Sequence, residues 1–190
     1  MYYIKKSITI IILQILFVNQ SITQNIELSL EQLCQNSKAV IIAETKSFYS
    51  YQSFDKKRVY TDITIEVKSS LKGDIKPNEK IKITYYGGTI NGITTAVIGS
   101  PTFKKNQISI LFLTEKKEFS PGYHFYRIVG DSQGKFNVNS TIIGERKTVK
   151  REQINMPLKL NDTSERVKMD ADQNIEFDSF ISLIKSFINK

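Results

Sequence analysis

The sequence predicts a mainly β protein: a small β-barrel of five to seven strands with a short N-terminal helix and a C-terminal amphipathic helix. Three observations predict it. Short apolar or alternating runs, separated by Gly, Pro, Asn and Asp, follow one another from residue 39 to residue 138. The 190 residues include 9 Tyr and 11 Phe but no Trp, a supply of flat and bulky side chains that suits a pleated surface. Helical periodicity is confined to a short stretch before the first strand and to the C-terminus.

The N-terminus reads as a leader spanning residues 1–24. Lys5 and Lys6 form a basic start, and Ser7 to Val18 is an apolar run of 12 residues. A membrane span needs about 20 such residues, so the run has the size of a secretory h-region. Ser21 and Thr23 supply small residues for cleavage near Thr23 or Gln24. An uncleaved N-terminal anchor and a buried first element are the competing readings, and only the anchor would bring the chain to a membrane. No cysteine closely follows the h-region, so a lipid anchor is not indicated.

In the remaining chain, Ser29 and Gln32 have the spacing of a capping box, in which each side chain satisfies an orphan backbone N–H. Leu30, Leu33 and Cys34 then share one helical face, and the helix should stop near Asn36 and Ser37. Ala39 to Ala43 is a fully apolar strand that continues toward Phe48-Tyr49-Ser50-Tyr51. Gln52 to Lys57 is a polar hairpin loop. The next strand alternates most clearly: Val59, Thr61, Ile63, Ile65 and Val67 face one way, and Tyr60, Asp62, Thr64, Glu66 and Lys68 the other. That pattern means one buried and one wet face. Ile81, Ile83 and Tyr85 alternate with Lys80, Lys82 and Thr84 in a third strand, which ends at Gly87-Gly88, a bulge or sharp bend. Thr94 to Ile98, Ile108 to Leu113, Tyr126 to Val129 and Lys135 to Val138 supply further strands.

Residues 25–138 therefore form the β domain. Residues 139–174 form a polar loop in which Thr148 to Arg151 can add an edge strand. Residues 175–190 form the last helix, with Phe177, Phe180, Ile181, Ile184, Phe187 and Ile188 on one stripe that should pack on the sheet.

Charge and cysteine content narrow the functional classes. The formal charge is +8, and without the leader 25 basic residues face 19 acidic ones, a net +6. Such an excess favours anionic surfaces and also serves solubility. Cys34 is the only cysteine, so no internal disulfide can form, and its apolar helix face points to a buried thiol.

The pieces Gly87-Gly88, Gly99-x-Pro101-x-Phe103, Leu111-Phe112-Leu113 and Gln133-Gly134-Lys135-Phe136, taken in order, resemble a family of uncharacterised exported bacterial β-domains. The likeness runs from Ala39 to Phe136, about half the chain, and implies export without an assigned activity. Where the family pattern has Gly-Glu before the central strand, this chain has Asn106-Gln107. The strand order also looks like the OB-type barrel of netrin modules and tissue inhibitors of metalloproteinases. The likeness rests on the early Ala39-Val40-Ile41-Ile42 strand, the long strand ending at Leu71-Lys72-Gly73 and the late Ile110-Leu111-Phe112-Leu113 strand. In those inhibitors an N-terminal cysteine reaches the protease zinc. Here Cys34 lies about ten residues past the expected mature start, so that mechanism does not carry over.

Catalytic chemistry finds little to work with. His124 is the only histidine, which leaves no zinc site of local spacing and one candidate base for a Ser-His-Asp arrangement. Asp170 and Asp172 lie in the polar loop and read as solvated charges. No phosphate-binding glycine loop or dinucleotide fingerprint is present, so no catalytic residue, cofactor or metal is assigned. The candidate anion-binding residues are Lys56, Lys57 and Arg58, then Lys104 and Lys105, then Arg146, Lys147, Lys150 and Arg151; Lys116-Lys117 forms a further basic pair. Tyr49, Tyr51, Tyr85 and Tyr86 could stack on a ligand beside them. The expected function is an exported, non-enzymatic binding or structural module of the cell envelope, secreted or periplasmic. Its expected partner is a protein or an envelope polymer, not nucleic acid. A metalloprotease-inhibitor-like OB domain is one alternative, and binding of an anionic glycan or another polyanion through the basic loops is a second.

Overall fold

The computed structural model describes residues 27–140, 146–151 and 174–189. The expected leader, most of the polar loop and its Asp170 and Asp172 fall outside the described residues. Helix α1 (Leu30–Asn36) precedes strands β1 (Ala39–Gln52), β2 (Val59–Lys72) and β3 (Lys80–Tyr86). Two short strands follow, β4 (Gly88–Ile90) and β5 (Ile93–Thr95), and then β6 (Ile108–Leu113). Strands β7 (Lys117–Ser120) and β8 (Tyr123–Phe125) form a hairpin. A 3₁₀ turn (Asp131–Gly134) leads into β9 (Lys135–Ser140), β10 (Lys147–Arg151), β11 (Ile175–Glu176) and helix α2 (Phe177–Ile188).

Seven strands form one antiparallel sheet in the order β11-β10-β9-β6-β1-β2-β3, and β4-β5 and β7-β8 are separate two-stranded ribbons. The mainly β reading with two helices holds at this level. Strand β1 is central because it pairs with β6 through Ala39–Glu44 and with β2 along nearly its whole length. Three register shifts bend it on the way. Strand β10 is not an edge, since β11 pairs with it through Thr148 and Val149. Tyr126 to Val129, expected as a strand, is an extended segment with single bridges on both sides. Tyr126 donates to Lys82 O at 2.9 Å and accepts from Thr84 N at 3.1 Å, both on β3. Val129 donates to Phe112 O at 2.8 Å, and Arg127 O accepts from Thr114 N at 2.9 Å, which ties the segment to the β6 side.

Around the first half of β1 the sheet is buried on both faces, which is why Ala39 to Ala43 is apolar throughout and does not alternate. Ala39, Ile41 and Ala43 join Ile63, Ile65, Val67, Ile83, Leu111 and Leu113 in one core. Val40, Ile110 and Phe112 point the other way, into a second core with Phe136 and Val149 under both helices. The capping box at Ser29 and Gln32 forms as the spacing predicts. Lys72 Nζ donates at 2.7 Å to the carbonyls of Cys34 and Ser37, satisfying acceptors at the end of α1. Helix α2 drives Phe180 and Ile184 fully into the second core.

Candidate ligand-binding face

The outer face of β1-β2-β3 is set by register. Tyr51 lies opposite Tyr60, and Tyr60 opposite Tyr86. Tyr49 is two residues along β1 and shares its face. The result is a continuous row of rings. Ring centroids are 5.9 Å apart for Tyr49–Tyr51, 5.8 Å for Tyr51–Tyr60 and 5.0 Å for Tyr60–Tyr86. The Arg127 guanidinium ends the row, 5.5 Å from the Tyr86 ring centre and 5.9 Å from that of Phe125. The row is not core: Tyr49 is 69% exposed and Tyr86 37%.

One step inward, the same face carries Asp62, a buried carboxylate held by hydroxyls. Thr84 donates to Oδ1 at 2.7 Å, Tyr51 to Oδ1 at 3.4 Å, and Tyr123 to Oδ2. Tyr123 comes from β8, so this contact ties the β7-β8 hairpin to the sheet. Lys82 Nζ lies 4.5 Å from the centre of the Tyr123 ring. Burial, then donation to Asp62, pushes the Tyr123 phenol well above the ordinary tyrosine range. Burial also raises the Tyr51 phenol. Tyr86 behaves oppositely. Burial pushes its phenol up, but the hydrogen bond with Tyr60 and the Arg127 and Arg58 charges outweigh that and lower it. The field at this end of the row therefore favours negative charge.

Beside Tyr86, the loop between β1 and β2 forms an open groove of about 600 Å³ lined by Gln52, Lys56, Lys57, Arg58, Val59, Tyr86, Thr95 and Val97. Asp55 shapes that loop by accepting from Ser53 Oγ at 2.5 Å and from Lys57 N at 3.1 Å. Further down the face, Glu44, Lys46, Glu66 and Lys68 form an ion-pair network with N···O distances of 2.6–3.4 Å.

The candidate anion-binding residues fall in three separate places. Lys56, Lys57 and Arg58 line the groove. Lys104 and Lys105 lie in the turn before β6, which is pinned to Thr45 of β1 by hydrogen bonds from Thr45 N to Gln107 O and from Asn106 N to Thr45 O. Arg146, Lys147, Lys150 and Arg151 belong to β10 and its approach. There the Lys147 ammonium sits 5.8 Å from the Phe177 ring centre. Arg151 is engaged in the fold: it pairs with Glu27 at 3.0 Å and donates to Leu28 O at 2.9 Å and Gln133 O at 3.3 Å. Among the stacking candidates, Tyr49, Tyr51 and Tyr86 share the row. Tyr85 points to the opposite face, stacks on Phe103 at 6.3 Å and packs against the first core. Tyr60, Arg127 and Asp62 were not among the candidates. The available signal was an aromatic residue on the wet face of the best alternating strand.

His124 is exposed on β8 opposite Glu118. Cys34 is buried as expected. Among the described residues no group of three or more His, Cys, Asp or Glu side chains is placed to hold a metal ion, and no helix is long and apolar enough to cross a membrane. The chain matches no known family model, and no curated protein or solved structure shows significant similarity to it.

Proposed function

We propose that the chain is an exported, non-enzymatic binding module of the cell envelope, and that its ligand lies on the tyrosine row of β1-β2-β3. The observation that carries this reading is the row itself: four large rings held in register on a solvent-facing surface, where they contribute to neither core. Export rests on the basic and apolar pattern of residues 1–24. A binding role fits the state of Asp62, the buried carboxylate on this face. Its oxygens accept from Thr84, Tyr51 and Tyr123, so it serves as a structural acceptor and is poorly placed as a general base.

The fold reading goes one step further, to an OB-like barrel. Its support is the pair of backbone connections that Tyr126–Val129 makes, to β3 on one side and to the β6 side on the other. Together with the β6-β1, β1-β2 and β2-β3 pairings, these connections would complete a ring. OB barrels bind on the face of strands two and three and on the loops joining strands one to two and four to five. In this chain those places correspond to the tyrosine row, the loop at 53–58 and the hairpin that carries Tyr123.

The test is retention on the native envelope. The exported chain, tagged at its C-terminus and purified from the cell that makes it, should cosediment with envelope from cells lacking it. The variant Tyr49→Ala/Tyr60→Ala, shown to be folded by circular dichroism, should stay in the supernatant. Equal sedimentation of the two proteins would overturn the assignment of the face.

A further inference from the structure

The chemistry of the row and its flanks says what kind of polymer it takes, if the tyrosine row is the binding face proposed above. We propose that the ligand is an acidic glycan, with its anionic group held between Arg58 and Arg127 at Tyr86 and its sugar rings lying along Tyr60, Tyr51 and Tyr49.

Charge complementarity comes first. Arg127 lies 5.5 Å from the centre of the Tyr86 ring, and the groove that Tyr86 helps to line is also lined by Lys56, Lys57 and Arg58. Among the described residues no carboxylate lines that groove. Asp55, the acid nearest in sequence, is turned back onto Ser53 and Lys57 of its own loop. Guanidinium groups bind carboxylate and sulfate through paired, charge-assisted hydrogen bonds. The Arg127 and Arg58 charges also help to lower the Tyr86 phenol.

The way the tyrosines pack selects sugar over nucleobase. Tyr51 has Tyr49 and Tyr60 on its two sides, Tyr60 has Tyr51 and Tyr86, and Tyr86 has Tyr60 and Arg127. Adjacent rings lie 21–38° from parallel. Each inner ring therefore has a neighbouring ring or guanidinium within 5.0–5.9 Å on both sides, and the Tyr51 hydroxyl is taken up by Asp62. Base stacking needs open faces, which leaves Tyr49 at the end of the row. A polyol suits a crowded aromatic row, with apolar C–H patches against the rings and its own hydroxyl groups turned to the polar side chains beside them. The Gln52 and Thr95 side chains in the groove extend the same polar character.

The test is titration calorimetry of the full exported chain against four probes: a polyuronate, a sulfated glycosaminoglycan, a neutral glucan and an oligothymidylate. Binding of the polyuronate or the sulfated glycan, falling steeply with added salt, is the expected result. Which of the two binds identifies the anionic group as carboxylate or sulfate. Arg58→Gln and Arg127→Gln should each weaken it about tenfold, the loss expected when one charged hydrogen-bond partner is removed. Arg127→Lys should recover part of the loss, and circular dichroism checks that each variant is folded. Salt-insensitive binding of the neutral glucan at equal strength would overturn the acidic ligand and leave the face intact. Preference for the oligothymidylate would overturn the glycan. Failure of all four probes, with tyrosine-dependent envelope sedimentation retained, would also overturn the glycan. Loss of tyrosine dependence in sedimentation would remove the face itself.

Discussion

At the scale of single residues, two buried polar groups show how this protein uses chemistry to hold shape. Asp62 anchors hydroxyls from β1, β3 and β8 at once. Removing one donor while keeping its ring isolates the effect. Tyr123→Phe should destabilise the chain by about 1.5–3 kcal/mol, the range for hydrogen bonds to a charged group, read as a lower urea midpoint. An unchanged midpoint would mean that the hairpin does not dock through Asp62. Cys34 gives a pH signature. Burial raises its thiol from 9.0 to about 11, with the Lys72 charge opposing. A group raised by folding contributes stability that is complete below the unfolded value and disappears as pH climbs through the folded one. Stability should therefore fall between about pH 9 and pH 11, and Cys34→Ala should flatten part of that slope in urea melts. The raised Tyr123 and Tyr51 phenols steepen the same loss, whereas the lowered Tyr86 opposes it. At neutral pH the buried thiol should resist iodoacetamide until the chain unfolds.

At the scale of elements, local patterns were legible and cross-strand placement was not. The capping box of α1, the alternation of β2 and the stripe of α2 can be read because each depends on residues within one or two turns of the chain. The β7-β8 hairpin was missed, since Lys117-Glu118-Phe119-Ser120 shows no apolar alternation. Lys135 sits in a strand that was expected, yet it is fully buried, with its ammonium 4.9 Å from the Phe103 ring centre and a hydrogen bond to Asn137. No period announces such a site. Tyr85 and Tyr86 were grouped as stacking partners, but a period of two sends neighbours to opposite faces, and they lie on opposite faces. The row of Tyr51, Tyr60 and Tyr86 needed the register, which a single sequence does not carry. The Gly87-Gly88 bend could be read as a bend but not for its purpose. Gly88 has φ +140°, and an added Cβ would come within 2.6 Å of Ser50 Oγ and closer still to Thr61 Oγ1. The chain leaves β3 by crossing directly over β1 and β2, where Thr61 Oγ1 donates to Gly87 O at 2.7 Å. Gly88→Ala should therefore cost about 2–4 kcal/mol through overpacking and backbone strain, seen as a fall in melting temperature. A variant as stable as the parent would show that the crossing is looser than these distances imply.

At the scale of the whole molecule, the fate of the β3 edge decides how the sheet is finished. An open β3 would expose a row of unpaired backbone groups, which sheet proteins normally cover or close. The extended Tyr126–Val129 segment meets that need on the β3 side through Tyr126 and on the β6 side through Arg127 and Val129. Ile128 lies in the first core with Ile83 and Leu113, so the segment contributes apolar contacts to the interior as well as hydrogen bonds. A short segment held from both sides should open only with the whole domain. A covering loop would open alone, at a lower free energy. Native-state hydrogen exchange separates the two cases. With a closed ring, the amides of Thr84, Tyr126, Thr114 and Val129 should exchange as slowly as those of Ile41 and Ile65 in the centre of the sheet. They should also follow the same urea dependence. If those four amides exchange as fast as the Ser53–Arg58 loop, the sheet ends at β3, and the correspondence between the tyrosine row and an OB binding face is lost. The row would then stand on its register alone, and envelope sedimentation of the tyrosine variant would remain its only direct test.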